Sequence, residues 1–339
     1  MEQAKMISGT GVFSRRMRSL FAAREIGILL ALLIISTALT LATSNFLTLQ
    51  NLLNVGRQVS LLGIMAVGMT FVLITREVDL SIGSTYAIAG LSTGMLLVRG
   101  WFLLPALGAG LAIGSIIGCL NGLLSTYGKL PSFIATLGML SVVRGAALLL
   151  TNGEPVTVNI NKGGREDALS QFYFLGQGRL FDRIPMLLIF FILIALVAWF
   201  ILAKTTFGFR IYAVGGSEKA ARLSGIRVPQ TKILAFMVMG LLSALAGILS
   251  LAFLPSGQAG RTGVGLELDV IAAAIVGGAS LSGGEGTILG TILGVLIIGI
   301  LRNGLILLGI SPFWQTSIIG LVIIFAVGLD KWTEQKRKS

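Results

Sequence analysis

The chain has 339 residues, 55% hydrophobic and only 12% charged, with a mean hydropathy of +0.92. A water-soluble domain carries roughly 25% charged residues, so this composition excludes a soluble protein of the same size and predicts an integral membrane protein. Histidine is absent and Cys119 is the single cysteine, which removes His-based catalysis, an internal disulfide and Cys-cluster metal sites. The net charge of +12 lies at the ends of apolar stretches and reads as membrane flanks, not as a nucleic-acid surface.

Residues 1–25 hold Lys5, Arg15, Arg16, Arg18 and Arg24 and predict a basic cytoplasmic segment. The apolar run 26–42 exceeds the roughly 7–15 residues of a signal-peptide core and is read as a retained anchor. Ten candidate spans follow in order: 26–43, 59–75, 80–98, 101–126, 131–150, 185–203, 233–253, 268–281, 287–308 and 312–329. The eighth is short and glycine-rich, so it reads as broken or re-entrant. Such backbone is tolerated only where protein or water surrounds it.

Loop charge sets the orientation. Segment 204–232 holds Lys204, Arg210, Lys219, Arg222, Arg227 and Lys232, and the tail 331–339 holds Lys331, Lys336, Arg337 and Lys338. Both read as cytoplasmic. Segment 151–184 balances Lys162, Arg165, Arg179 and Arg183 against Glu154, Glu166, Asp167 and Asp182 and reads as external. Five spans before that loop, one after it and four more return both termini to the cytoplasm, with a single transmembrane domain over 26–330.

An internal echo supports ten. Ile116-Ile117-Gly118, Asn121-Gly122-Leu123, Gly128, Pro131 and Phe133 recur as Ile297-Ile298-Gly299, Asn303-Gly304-Leu305, Gly309, Pro312 and Phe313. The offset is five helices, an odd number, so the two copies have opposite orientation. The expected fold is all-α, with about ten transmembrane helices in two inverted repeats of five.

Leu281-Ser282-Gly283-Gly284-Glu285 resembles an ATPase signature motif, but no G-x-x-x-x-G-K-[ST] phosphate loop occurs anywhere. It reads as a glycine-rich reversal between spans eight and nine. In 204–232, Ser217 reads as an N-cap, Glu218 and Arg222 as an i,i+4 pair matching the helix dipole, and Gly225 as a C-terminal stop. The two-turn helix they define is too short to stand alone. It suits a knob docked on a partner, with Ala220, Ala221 and Leu223 available for contact. Arg76, Glu77, Asp79, Arg144, Glu267, Asp269 and Arg302 lie in or beside apolar spans. An unpaired charge there costs on the order of 3 kcal/mol. Arg76 is expected to pair with Glu77 or Asp79. Asp79, Ser81, Asn121, Thr136, Arg144 and Asn303 are the candidates for lining a translocation path.

Further strings carry a family resemblance: Gly63-Ile64-Met65-Ala66-Val67-Gly68-Met69-Thr70, Asp79-Leu80-Ser81-Ile82-Gly83-Ser84, Phe133-Ile134-Ala135-Thr136-Leu137-Gly138 with Arg144-Gly145, the segment from Gly216 to Ile226, and Glu267-Leu268-Asp269-Val270-Ile271-Ala272-Ala273 with Gly277-Gly278 and Gly283-Gly284. Together they resemble permease subunits of the ribose-type ATP-binding cassette importers, nearly end to end. The resemblance implies import of a small sugar across a bacterial inner membrane. It also implies a second permease subunit, identical or paralogous, an ATP-binding cassette ATPase that uses ATP and Mg, and a periplasmic solute-binding protein. No cofactor would be bound by this chain. Residues Gly216, Ser217, Glu218, Ala220, Ala221, Arg222, Leu223, Gly225 and Ile226 would couple to the ATPase. Thr75-Arg76-Glu77-Val78 departs from the family's usual small residues and is similar to the rhamnose and autoinducer-2 branches, which stand as the alternative. An ion-coupled secondary transporter using Asp79, Glu267 or Asp269 is a further class. A membrane enzyme is disfavoured, since nothing forms a nucleophile–base pair or a metal site.

Overall fold

The computed structural model describes residues 10–311 and isolated positions from 314 to 328. The predicted span 312–329 and the tail 331–339 lie outside the continuously described residues, as does the start of the basic segment. The helices are α1 (Thr10–Ala42), α2 (Leu49–Ile74), α3 (Ile82–Val98), α4 (Leu103–Thr126), α5 (Ser132–Thr151), α6 (Glu166–Gln177), α7 (Met186–Lys204), α8 (Thr206–Gly216), α9 (Glu218–Leu223), α10 (Val228–Phe253), α11 (Leu266–Val276) and α12 (Ile288–Leu307). Short strands β1 (Val156–Thr157), β2 (Arg179–Leu180), β3 (Ile184–Pro185) and β4 (Ser256–Gly257) lie between them.

Among the described residues, seven helices are long and apolar enough to cross a membrane: the Glu25–Ala42 part of α1, and α2, α4, α5, α7, α10 and α12. Two of the predicted spans are not full-length helices. α3 has 17 residues and α11 has 11, about 26 Å and 16 Å at 1.5 Å per residue, against roughly 30 Å of hydrocarbon. The buried link 75–81 completes the first of these crossings and the irregular segment 254–265 leads into the second. The eighth prediction, a broken segment, therefore matches α11, and the third is broken as well.

The bundle is layered by burial. In the most apolar stretch of α2, 83% of residues are buried, and 61% in α10, but only 6% in α1. Between α2 and α10 lies the main apolar core, with Phe71, Phe236, Met65 and Met239 inaccessible to solvent. α7 is apolar on every side yet mostly outward-facing, as expected for a helix bathed in lipid. Where helices approach most closely the residues are glycine. A Cβ at Gly118 of α4 would strike the Phe236 carbonyl of α10, and one at Gly240 of α10 would strike the Gly114 carbonyl of α4. Lipid supplies no hydrophobic drive between helices, so such backbone contact supplies the dispersion and Cα–H contacts that hold them.

At one end of the bundle, β1 and β4 pair antiparallel with Val156 opposite Gly257 and Thr157 opposite Ser256. α6 lays Leu169 and Phe172 over Leu97, Ala106 and Ala252. The polar segment 151–184 is thus an ordered cap. Segment 204–232 occupies the opposite end. Gly118→Val is expected to cost about 3 kcal/mol or more, since neither backbone can yield, and to leave little monodisperse protein in detergent. Gly108→Val, on the same helix with open space around it, should behave as the parent in the same size-exclusion and thermal-unfolding measurements.

Candidate functional site

The polar end is built by three helix ends meeting. Ser217 closes α8 and opens α9, where its Oγ accepts the Ala220 amide at 3.3 Å. Glu218 and Arg222 approach to 3.8 Å at the predicted i,i+4 spacing. Gly225 has φ 79°, and its amide and that of Ile226 bond to the Arg222 and Ala221 carbonyls, each at 3.0 Å. This is a Schellman stop. Ile226 then packs with Val214, Ala221 and Val228. Ala221 is therefore buried against its own chain, which corrects its expected availability to a partner. Gly216, Ser217, Ala220, Arg222, Leu223 and Gly225 are exposed, Leu223 at 83%.

Arg76 does not pair with Glu77 or Asp79 as expected. Its Nε and Nη2 donate to the carbonyls of Gly215 and Gly216 at 2.7 and 2.8 Å, capping the negative end of α8. The reason lies in its backbone. α2 also ends in a Schellman stop, with Arg76 and Glu77 amides on the Leu73 and Val72 carbonyls, and Arg76 takes the left-handed position at φ 65°. That turn aims its side chain at α8. Gly215 has no room for a Cβ beneath the Ile74 carbonyl, so the two helix ends touch.

Glu77 instead meets Lys232, from the second turn of α10. The Lys232 ammonium lies 2.6 Å from Glu77 Oε1 and also bonds Glu218 Oε1 of α9. Ser125 of α4 donates to Glu77 Oε2 at 3.2 Å. Lys232 and Glu77 are nearly buried, with side chains 11% and 10% exposed. Sequence reasoning counted Lys232 only as a loop charge. The available signal was its place inside the apolar helix beginning at Val228, where a lone cation requires a counter-charge.

Four of the path candidates gather around the α2–α3 link, Asp79 and Ser81 within it, Asn121 on α4 and Thr136 on α5, all buried. The Asp79 carboxylate accepts the Ser81 amide at 2.8 Å, the Ser81 hydroxyl at 2.7 Å and the Asn121 amide at 3.2 Å. Thr136 Oγ1 accepts the Leu80 amide at 3.1 Å. Arg144 donates to the carbonyls of Ala259 and Thr262, both at 2.6 Å, and holds the irregular segment before α11. Asn303 exchanges two hydrogen bonds with Asn51, tying α12 to the start of α2. Asp269 pairs with Arg302 at 2.8 Å. Two cavities lie elsewhere: one of about 310 Å³ between α3, α10 and segment 254–266, and one of about 290 Å³ between α2, α3 and α12. None of the six path candidates lines either cavity, although Thr262, a partner of Arg144, lines the first.

The Leu281-to-Glu285 string is a reversal, as predicted. Gly283 and Gly284 have φ 77° and 74°, and the Gly284 amide donates to the Ile74 carbonyl at 2.9 Å. Burial pushes the Tyr212 phenol of α8 up to about 12. Its hydroxyl donates to the Gly286 carbonyl at 2.6 Å.

The family described as the branched-chain amino acid transport system / permease component matches residues 51–327. The chain belongs to this permease family. Ribose import permease protein RbsC of Escherichia coli K12 is 42% identical over 302 residues, covering 89% of this chain and 92% of RbsC. RbsC of Bacillus subtilis 168 is 43% identical, covering 91% and 93%. The L-arabinose ABC transporter permease protein AraH of Azospirillum brasilense is 35% identical, covering 92% and 89%. A solved structure of a metal-chelate type ABC transporter in an inward-facing conformation shares the fold at a TM-score of 0.50 and 17% identity, covering 91% of this chain and 98% of that one.

Because Arg76 and Asp79 share no bond, Arg76→Met and Asp79→Asn should each destabilise the permease by about 2 kcal/mol through lost charge-assisted hydrogen bonds. The double variant should show a coupling energy no greater than about 0.5 kcal/mol, measured by thermal unfolding in detergent. Recovery of stability in the double variant would restore the ion pair that the geometry excludes.

Proposed function

We propose that this chain is the membrane subunit of an ATP-driven importer for a pentose, with D-ribose the first solute to test. The observation that carries this is identity of 42–43% with ribose import permeases over about nine-tenths of both chains. The family's permeases are transport subunits, and this sequence lacks a phosphate loop, so ATP and Mg belong to a partner ATPase. A second permease subunit and a periplasmic solute-binding protein complete the assembly. The exposed surface of Ser217, Ala220, Arg222 and Leu223 is where the ATPase docks. Ten spans in two inverted repeats, a cytoplasmic segment 204–232 and an external cap 151–184 remain the reading of the internal echo and the charge pattern.

The rhamnose and autoinducer-2 alternative rested on Thr75-Arg76-Glu77-Val78. Arg76 is bound to α8 and Glu77 to Lys232, and neither lines either of these two cavities, so the geometry adds no support for a solute contact there. The reading that Arg144 stands beside the solute route is supported by its bond partner Thr262, which lines a cavity.

The test is reconstitution with its ATPase and binding protein in proteoliposomes. ATP-dependent uptake of labelled D-ribose, reduced by excess L-arabinose if the pocket is a general pentose site, is the expected outcome. Uptake of L-rhamnose but not ribose would move the chain to the alternative. Uptake driven by a proton gradient without ATP would make it a secondary transporter.

Orientation is tested separately in a Cys119→Ala background. Arg165→Cys should react with an impermeant maleimide on spheroplasts, and Leu223→Cys only after permeabilisation. The reverse pattern would invert the topology.

A further inference from the structure

We infer that Lys232 is a positioning residue that carries movement of the ATPase-docking helix α9 into the broken α2–α3 crossing. This rests on the coupling reading of segment 216–226 and deepens it by naming the link.

The contacts form an unbroken line. Arg222, exposed on α9, approaches Glu218 at 3.8 Å. Glu218 bonds Lys232, and Lys232 bonds Glu77 at 2.6 Å. Glu77 accepts from Ser125 of α4 and belongs to the link 75–81. Two residues on, Asp79 fixes the start of α3 through Ser81 and holds α4 through Asn121. Lys232 and Glu77 form the nearly buried pair of this line, while Glu218 and the exposed Arg222 lie on its outer side. Burial of Lys232 and Glu77 removes competing water, which strengthens the attraction and makes separation costly. Apolar contact between α9 and the bundle could slide, since dispersion has no direction. A lysine held between two carboxylates fixes both distance and register. Among the described residues, the remaining ties at this end, from Arg76 and Tyr212, reach α8 and not α9. Among the described residues, Lys232 is therefore the side-chain polar tie from α9 to the α2–α3 link.

A purely structural lysine and a transmitting one differ in a single quantity, solute moved per ATP hydrolysed. In the reconstituted complex, with D-ribose as probe or whichever pentose is taken up, Lys232→Met should lower that ratio at least fivefold. Lys232→Arg, which keeps the charge and gains donors, should retain more than half of it. Glu77→Gln should reproduce the Lys232→Met loss, and the double variant should be no worse than either single, because all three break one link. An unchanged ratio in Lys232→Met overturns the proposal. If that variant does not accumulate, Glu218→Gln decides, since its outer position breaks the same line at a half-exposed residue. An unchanged ratio there overturns the proposal equally. Leu223→Cys in the Cys119→Ala background separates the two levels of the argument. A disulfide or bismaleimide crosslink from position 223 to the ATPase, with an unchanged ratio in Lys232→Met or Glu218→Gln, rejects the link and leaves docking intact. Absence of that crosslink in the functional complex rejects docking, and the link with it.

Discussion

Backbone that leaves a helix inside an apolar bundle must have its amides and carbonyls bonded by protein, because no water is there to do it. Two irregular segments join helices of this bundle, the mostly buried link 75–81 and the segment 254–265 that runs inward from β4 at the capped end, and each has backbone groups satisfied by side chains. Asp79, Ser132 and Thr136 take the Ser81, Val78 and Leu80 amides. Arg144 covers the Ala259 and Thr262 carbonyls. Each unmet group would cost several kcal/mol. These intramembrane polar residues are therefore explained first as the price of non-helical backbone, and a role toward solute has to be argued beyond that. Arg144 alone has such an argument, through the neighbouring cavity.

Much of the polar end was legible because its signals are local. Ser217, Glu218, Arg222 and Gly225 act within one helix of two turns, and capping chemistry reads directly from residue order. The glycine reversal at 283–284 is legible for the same reason. The misreadings share the opposite property. Arg76 was assigned to its sequence neighbours, whereas a left-handed turn aims it at carbonyls about 140 residues away in sequence. A positive φ at arginine has no residue signature, since glycine usually takes that position. Lys232 lay outside the motif because its two partners come from α9 and from the α2–α3 link. Ala221 looked exposed in a polar segment but faces Ile226 across its own Schellman stop. Hydropathy alone leaves the irregular link before α3 unmarked, because a broken crossing is as apolar as a continuous one.

The echo between Asn121 and Asn303 gains a physical content from the coordinates. Both asparagines lie near the C-terminal ends of their helices and both are buried. Asn121 binds the link that enters α3, and Asn303 binds Asn51 at the entry to α2. An amide offers donors and an acceptor without bringing a charge, which suits fastening a helix entry within an apolar bundle. Equivalent residues therefore perform equivalent fastening at the two ends of α2 and its continuation, an arrangement that suits an inverted repeat without requiring the solute to touch either residue.

A partly buried triad such as Glu218–Lys232–Glu77 is weak evidence for stability, because desolvation of Lys232 and Glu77 offsets most of the attraction. Well-packed apolar residues of similar volume often serve as well or better. What apolar residues do not supply is register. The surrounding contacts sharpen this point. α9 has six residues and buries only Ala221, so little else fixes its angle to the bundle. The adjoining α8, by contrast, is held by Arg76, by Tyr212 and by the backbone contact of Gly215. The chain thus spends a buried cation where apolar area is too small to orient a helix, and uses close packing where area is ample. The lysine is what limits the freedom of so short a helix, and on the proposed reading it is where a push on α9 enters the bundle.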